Sequence, residues 1–308
     1  TVSNFQGNEA DILQTLCRLR EDIVLAAIKV GAKPSGIFQK KTGTPRYIRF
    51  YDVPNDCHLR SHGYVLRLSR KIKDDDHKGR GMKAASTSSS SVAWEGKLKS
   101  RSGDRYYTTY RSRDMNSCCE ECKDLGEKLE EDLSLDWNSL YSYSKKCKIK
   151  DETNLQKLGD VAHHWKDMKD LIENEMGWNT NKDIDIVGGL TVTESVYNGF
   201  EVDFDDGDKD DIGMFSVTIW YDSEHDSSLS LSKPNIVELS FRIKSTGEKL
   251  EDWKRNTIMK THAFWDDCAN LLHSWIDFSS QTTKTAWVYE YDSEWCSTEK
   301  STSLDDNL

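Results

Sequence analysis

The chain has 308 residues, with 42 Lys and Arg against 53 Asp and Glu, and a net charge of −11. That length allows one large domain or two small ones. No stretch approaches the ~18 uninterrupted apolar residues of a membrane-spanning helix. The acidic excess argues against general affinity for nucleic-acid backbones, and only 4 Pro and 18 Gly exclude a collagen-like or low-complexity chain.

In chain order, residues 9–30 read as an amphipathic helix. Ile12, Leu13, Leu16, Ile23, Val24, Ala27 and Ile28 recur at helical spacing, and Gly31 suits the stop. Residues 33–36, Lys-Pro-Ser-Gly, read as a turn. Four strands are expected at 46–51, 64–71, 91–99 and 105–111, with a charged, Gly- and Ser-rich hairpin connection between the second and third. Residues 117–134 and 151–176 read as helices, through Leu125, Leu129 and Leu133 in the first and Leu158, Val161, Trp165 and Ile172 in the second. Strands return at 184–194, 199–205, 213–222 and 236–244. A long helix is expected at 250–276, a last strand at 285–291, and a disordered polar tail at 298–308. The class is α+β with a largely antiparallel sheet: a single domain over 1–297 with a helical insertion at about 115–176.

Charge is unevenly spread. Residues 1–113 carry 22 Lys/Arg and 11 Asp/Glu, and the remainder carries 20 and 42. Strand side chains alternate between faces, and several strands have one fully polar face. Glu95, Lys97 and Lys99 lie opposite Trp94 and Leu98. Arg105, Tyr107, Thr109 and Arg111 share a face, and Arg67 stands with Ser69. Later, Glu201, Asp203 and Asp205 oppose Phe200, Val202 and Phe204, while Glu238, Ser240, Arg242 and Lys244 oppose Val237, Leu239, Phe241 and Ile243. These are either the wet faces of a one-sided sheet or, in a closed sheet, a lumen. A lumen with Lys and Arg on one side and carboxylates on the other suits polyphosphate and a divalent metal.

The eight cysteines are Cys17, Cys57, Cys118, Cys119, Cys122, Cys147, Cys268 and Cys296. An even, high count fits a secreted, disulfide-bearing protein. The missing initiator Met and apolar leader fit a processed chain or a trimmed one; there is no Asn-x-Ser/Thr sequon. Cys118 and Cys119 are neighbours, so they are expected to bridge to different partners, with Cys57 and Cys147 as candidates. Cys118, Cys119, Cys122 and Cys147 with His163 and His164 could alternatively hold zinc, although the spacing matches no known finger. Cys17 and Cys268, on apolar helix faces, are either buried thiols or a bridge between helices. The acidic run 203–211 has calcium-loop composition without the closing glutamate. Neither a nucleotide P-loop nor a Gly-x-Ser-x-Gly elbow is present.

The stretch from Arg49 through Asp52-Val53-Pro54-Asn55-Asp56, then Leu59-Arg60, Gly63-Tyr64-Val65-Leu66-Arg67-Leu68, then Trp94-Glu95-Gly96-Lys97-Leu98-Lys99 resembles the CYTH group, the triphosphate tunnel metalloenzymes. The clear likeness covers residues 46–113. It implies an antiparallel, tunnel-like β-barrel of the CYTH type with flanking helices. It also implies binding of a phosphorylated small molecule, a tri- or diphosphate, with Mg²⁺ or Mn²⁺, and hydrolysis of a phosphoanhydride. Arg67 and Lys99 match the group's phosphate ligands and Lys97 falls beside them; Arg105, Arg111, Arg242 and Lys244 could add further contacts. Ser69 stands where the group has its second arginine. The group's Glu-x-Glu-x-Lys strand has no counterpart before the first helix. Its nearest echo is Glu238-x-Ser240-x-Arg242, so metal binding rests on Glu201, Asp203 and Glu238, with Glu201 or Glu238 orienting water. Two other readings remain: cyclisation or another phosphate-leaving reaction on a diphosphate, and a secreted, disulfide-braced, non-catalytic protein that binds an anion or another protein. If the chain is not secreted or lumenal, it is cytoplasmic.

Overall fold

A computed structural model describes residues 9–42, 44–72, 93–104, 115, 117–133, 139–150, 154–166, 168–170, 172–173, 177–204, 212–222, 234–243, 255–275 and 283–296. The architecture is α+β, mainly antiparallel sheet with flanking helices. The chain divides into two compact units, one formed by 1–47, 71–80 and 191–284, the other by 48–70, 81–190 and 285–308. The expected strands at 105–111, the acidic run after Phe204 and the tail at 298–308 fall outside the described residues.

The first unit starts with α1 (Glu9–Lys29), as its periodicity predicts. Ile12, Leu16, Leu19, Ile23, Ala26 and Ala27 form its buried stripe. β1 (Lys33–Lys40) follows where the sequence suggested only a turn. It pairs with β8 (Val192–Asp203), which pairs with β9 (Ile212–Asp222) and it in turn with β10 (Ile236–Ile243), all antiparallel. The turn signal at Gly36 marks a bulge inside β1. Gly36 sits at φ 72, and a Cβ there would lie 2.0 Å from the Gly199 carbonyl oxygen, so only glycine fits. α5 (Arg255–Leu271) contributes Phe264 and Cys268 to the core.

That core explains why no barrel forms. Phe200, Val202, Phe204, Phe215, Val217, Ile219 and Val237 come from one face of the sheet and pack with α1 and α5 residues in a single cluster. The rings of Phe215 and Phe241 lie 4.8 Å apart, and those of Phe204 and Phe264 5.2 Å. The helices cover the apolar face, so burying it does not require the sheet to close. The strand order does not return on itself, so the sheet is not closed into a barrel.

In the second unit β7 (Asp185–Ile186) pairs with β2 (Arg46–Asp52, of which 48–52 belong to this unit), and β3 (Tyr64–Lys71), β4 (Trp94–Ser102), β6 (Ser139–Ile149) and β5 (Asp124–Leu133) follow in that order, with the short α2 (His58–Ser61) between β2 and β3 in the chain. Two expectations are corrected here. Residues 117–134 do not form a helix: 124–133 are strand β5, so the insertion is not helical throughout. Residues 285–291 are not a strand but helix α6 (Lys284–Tyr291). The helix expected over 151–176 is interrupted. α3 (Leu158–His164) ends at Trp165, which forms an isolated bridge with Cys118, before the short α4 (Met168–Asp170). Trp165 is fully buried. A Cβ on Gly96 would come within 3.0 Å of its ring, so the glycine in β4 makes room for the indole.

Three disulfides brace this unit: Cys57–Cys296, Cys118–Cys147 and Cys119–Cys122. As expected, the neighbouring cysteines bridge to different partners. Sequence separations of 239, 29 and 3 correspond to chain-entropy stabilisation of about 5, about 4 and about 2 kcal/mol. Cys17 and Cys268 are free thiols, and burial pushes the Cys268 thiol far above its ordinary pKa.

Candidate anion-binding face

Sheet register decides which charges meet. In the second unit Arg67 of β3 lies directly across from Lys97 of β4, and Lys97 directly across from Lys146 of β6. The next row on the same face holds Val65, Lys99, Ser144 and Lys128. The row beyond places Arg101 against Ser142 and Glu130. Directly opposed side chains sit about 5 Å apart, and like charges there destabilise a sheet. A row of three cations across three neighbouring strands therefore costs stability.

Lys97 bears most of that cost. Burial, then the charges of Arg67, Lys99 and Lys146, outweigh Glu130 and bring its ammonium from an ordinary 10.5 to about 7. Lys146 is joined to Glu95 at 2.9 Å, and Lys128 pairs with Glu130. Burial alone would raise the Glu130 carboxyl, but Lys128, Lys99 and Lys97 overcome that and hold it below its usual value. Lys97 has no carboxylate within ion-pair distance among the described residues.

The remaining expected site residues are distributed as follows. Arg105, Arg111 and Lys244 lie outside the described residues. Glu201, Asp203, Glu238 and Arg242 belong to the first unit, on β8 and β10. There Glu201 is level with Met214, which is level with Arg242; Glu238 is level with Thr218, four residues further along β9. Two strand spacings across and four residues along put Glu201 and Glu238 roughly 16 Å apart. One cation with oxygen ligands at about 2–2.6 Å cannot bridge that gap. Among the described residues no three of His, Cys, Asp or Glu are grouped to hold a metal. Among the described residues, Glu201 and Glu238 cannot both ligate the single Mg²⁺ or Mn²⁺ that the resemblance implies.

Two carboxylates of the first unit are already engaged with cations. Glu238 is ion-paired with Lys284, whose ammonium also sits 5.4 Å from the Trp220 ring centre. Glu194, buried on β8, accepts from Arg46 Nε at 2.6 Å and from the Trp220 indole N–H at 2.9 Å. The sequence reading did not single out Glu194. Its alternation with Val196 and its place opposite Trp220 could have marked it, but its cation comes from a distant strand.

A second residue missed by the sequence reading is Asp52, fully buried within the stretch that carries the family resemblance. Its carboxylate accepts from the backbone N–H of Val53 (2.8 Å), Leu59 (2.9 Å) and Arg60 (3.0 Å) and from the Tyr289 hydroxyl (2.9 Å). Burial raises its pKa against those four donors. Together with the Cys57–Cys296 bridge it holds Asn55 and Cys57 in left-handed backbone, at φ 65 and 42. Asp52 is an anchor for the 53–60 loop, not a ligand of the basic face.

No known family model matches the chain, and no curated protein is similar to it. Among the described residues no helix is long and apolar enough to cross a membrane. The three disulfides are consistent with a secreted or extracellular protein.

Proposed function

We propose that this protein binds a polyphosphate-type anion, a di- or triphosphate, on the Arg67–Lys97–Lys99–Lys146 face, and that it works in an oxidising compartment. The observation that carries the reading is the Arg67–Lys97–Lys146 row, with an ammonium depressed to about 7 at its centre. A fold keeps opposed like charges at a cost in stability where function requires them. A multivalent anion would offset the repulsion, and arginine offers two parallel donors to phosphate oxygens. Lysines on adjacent strands supply point charges spaced along the ligand. Phosphoanhydride hydrolysis with Mg²⁺ or Mn²⁺ has less support. Its carboxylates Glu201 and Glu238 are too far apart for one cation, and Glu238 already has a cationic partner.

The test is calorimetric titration with orthophosphate, pyrophosphate, tripolyphosphate and sulfate at fixed ionic strength. Affinity should rise with phosphate number, and Lys97→Gln or Arg67→Gln should lose about tenfold, or about 1.4 kcal/mol. Equal affinity for tripolyphosphate in wild type and both variants would reject the site. Orthophosphate release with Mg²⁺ or Mn²⁺ that disappears in Glu201→Gln would instead favour the hydrolase.

A further inference from the structure

A different chemistry is gathered at the C-terminal end of β6. Cys119 and Cys122 form a disulfide across only two residues, Glu120 and Glu121. The segment is pinned in place: the Cys119 N–H donates to the His164 carbonyl at 2.9 Å, the Cys122 N–H to the Cys119 carbonyl at 2.9 Å, and Lys166 pairs with Glu120 at 3.0 Å. Both sulfur-bearing residues line an open groove of about 380 Å³, shared with Lys148, Lys150, Glu121, Asp160, His163 and His164, so its lining carries carboxylates as well as cations. Cys119 is buried and Cys122 is half-buried, so Cys122 presents the accessible sulfur. His164 Nδ1 lies 2.8 Å from the Asp160 carbonyl, which cannot donate. The Nδ1 proton is therefore committed to that bond, and a neutral ring keeps Nε2 as a base. Cations beside a cysteine favour its thiolate. A bridge closing so short a loop constrains the unfolded chain least, by a factor of about 20 or more relative to the other two.

We propose that Cys119–Cys122 is an exchangeable disulfide and that this groove is a thiol–disulfide exchange site for a small thiol of the glutathione class. The incoming thiolate attacks Cys122 Sγ. A new sulfur–sulfur bond forms, the Cys119–Cys122 bond breaks, and its electron pair leaves on Cys119 as thiolate, beside the groove's cations. A second thiolate then attacks the ligand's sulfur in the mixed disulfide and releases Cys122. Two thiols are oxidised to one disulfide, and the protein disulfide takes up the two electrons. In the reverse sequence the ligand disulfide is the oxidant: it re-forms the Cys119–Cys122 bond and leaves as two thiols. Cys118–Cys147, with Cys147 buried in β6, stays intact throughout.

The test equilibrates the native, fully oxidised protein in graded reduced/oxidised glutathione buffers, alkylates free thiols and maps them by mass spectrometry. Cys119 and Cys122 should become alkylated together at conditions at least tenfold less reducing than those opening Cys118–Cys147 or Cys57–Cys296. Simultaneous opening of all three bridges, or opening of Cys119–Cys122 last, would overturn the proposal.

Discussion

The two units carry polar sheet faces with the same period-two pattern, yet they use their charges in opposite ways. In the first, the buried Glu194 meets Arg46, and the part-exposed Glu238 meets Lys284. In the second, register stacks Arg67, Lys97 and Lys146 side by side. Alternation in sequence reports that a face is polar. Whether its charges meet opposite charges or line up like against like depends on which strands are neighbours.

Removing one charge should therefore have opposite effects in the two units. Glu194→Ala leaves Arg46 and the Trp220 indole N–H without their shared acceptor, and should destabilise by about 3 kcal/mol in urea unfolding. A change below about 1 kcal/mol would break the contrast. Lys97→Met removes the cation at the centre of the row and should stabilise by about 1–2 kcal/mol at pH 6. Loss of stability there would mean that Lys97 is structurally satisfied.

The pH dependence sharpens the second expectation. Below about 7 Lys97 is protonated in both folded and unfolded chains, and its full cost is present. Between about 7 and 10.5 the unfolded chain holds the proton and the folded chain does not, so this residue makes wild-type stability rise with pH. The advantage of Lys97→Met should accordingly shrink between pH 7 and 10. An advantage constant from pH 6 to pH 10 would contradict the depressed ammonium. The smallest effect concerns binding: tripolyphosphate affinity should fall by up to tenfold per pH unit above pH 7 in wild type, and less in Lys97→Gln.

Much of the fold was legible where burial imposes one period. The stripe Ile12, Leu16, Leu19 and Ile23 fits a helix and no strand, and α1 appears where expected. The alternation in 64–71 and 94–102 likewise fits only a strand. Leu125, Leu129 and Leu133 misled because a spacing of four satisfies both periods. In β5 Leu125 and Leu129 remain 39% and 50% exposed, so no core chose between the two. Thr285, Trp287, Tyr289 and Tyr291 read as an alternating strand, but the 285–291 segment buries Val288 and Tyr289 as a helix, and the Tyr289 hydroxyl reaches Asp52. β6, with its Ser, Tyr and Lys, offered too little apolar contrast to be seen.

The site divides along the same line. Arg67, Lys97 and Lys99 were visible because they lie in adjacent motif strands. Lys146 was not, because its pairing with Lys97 spans 49 residues and is set by tertiary register. Tunnel closure, expected from the family resemblance, is replaced by helices that cover the apolar face of the first unit.

The most direct measurement is an NMR titration of the Lys97 side chain, with and without saturating tripolyphosphate. The account predicts a free-state pKa of about 7, raised by at least one unit when the anion binds. A value near 10.5 in the free protein, or one near 7 that the anion leaves unmoved, would contradict it.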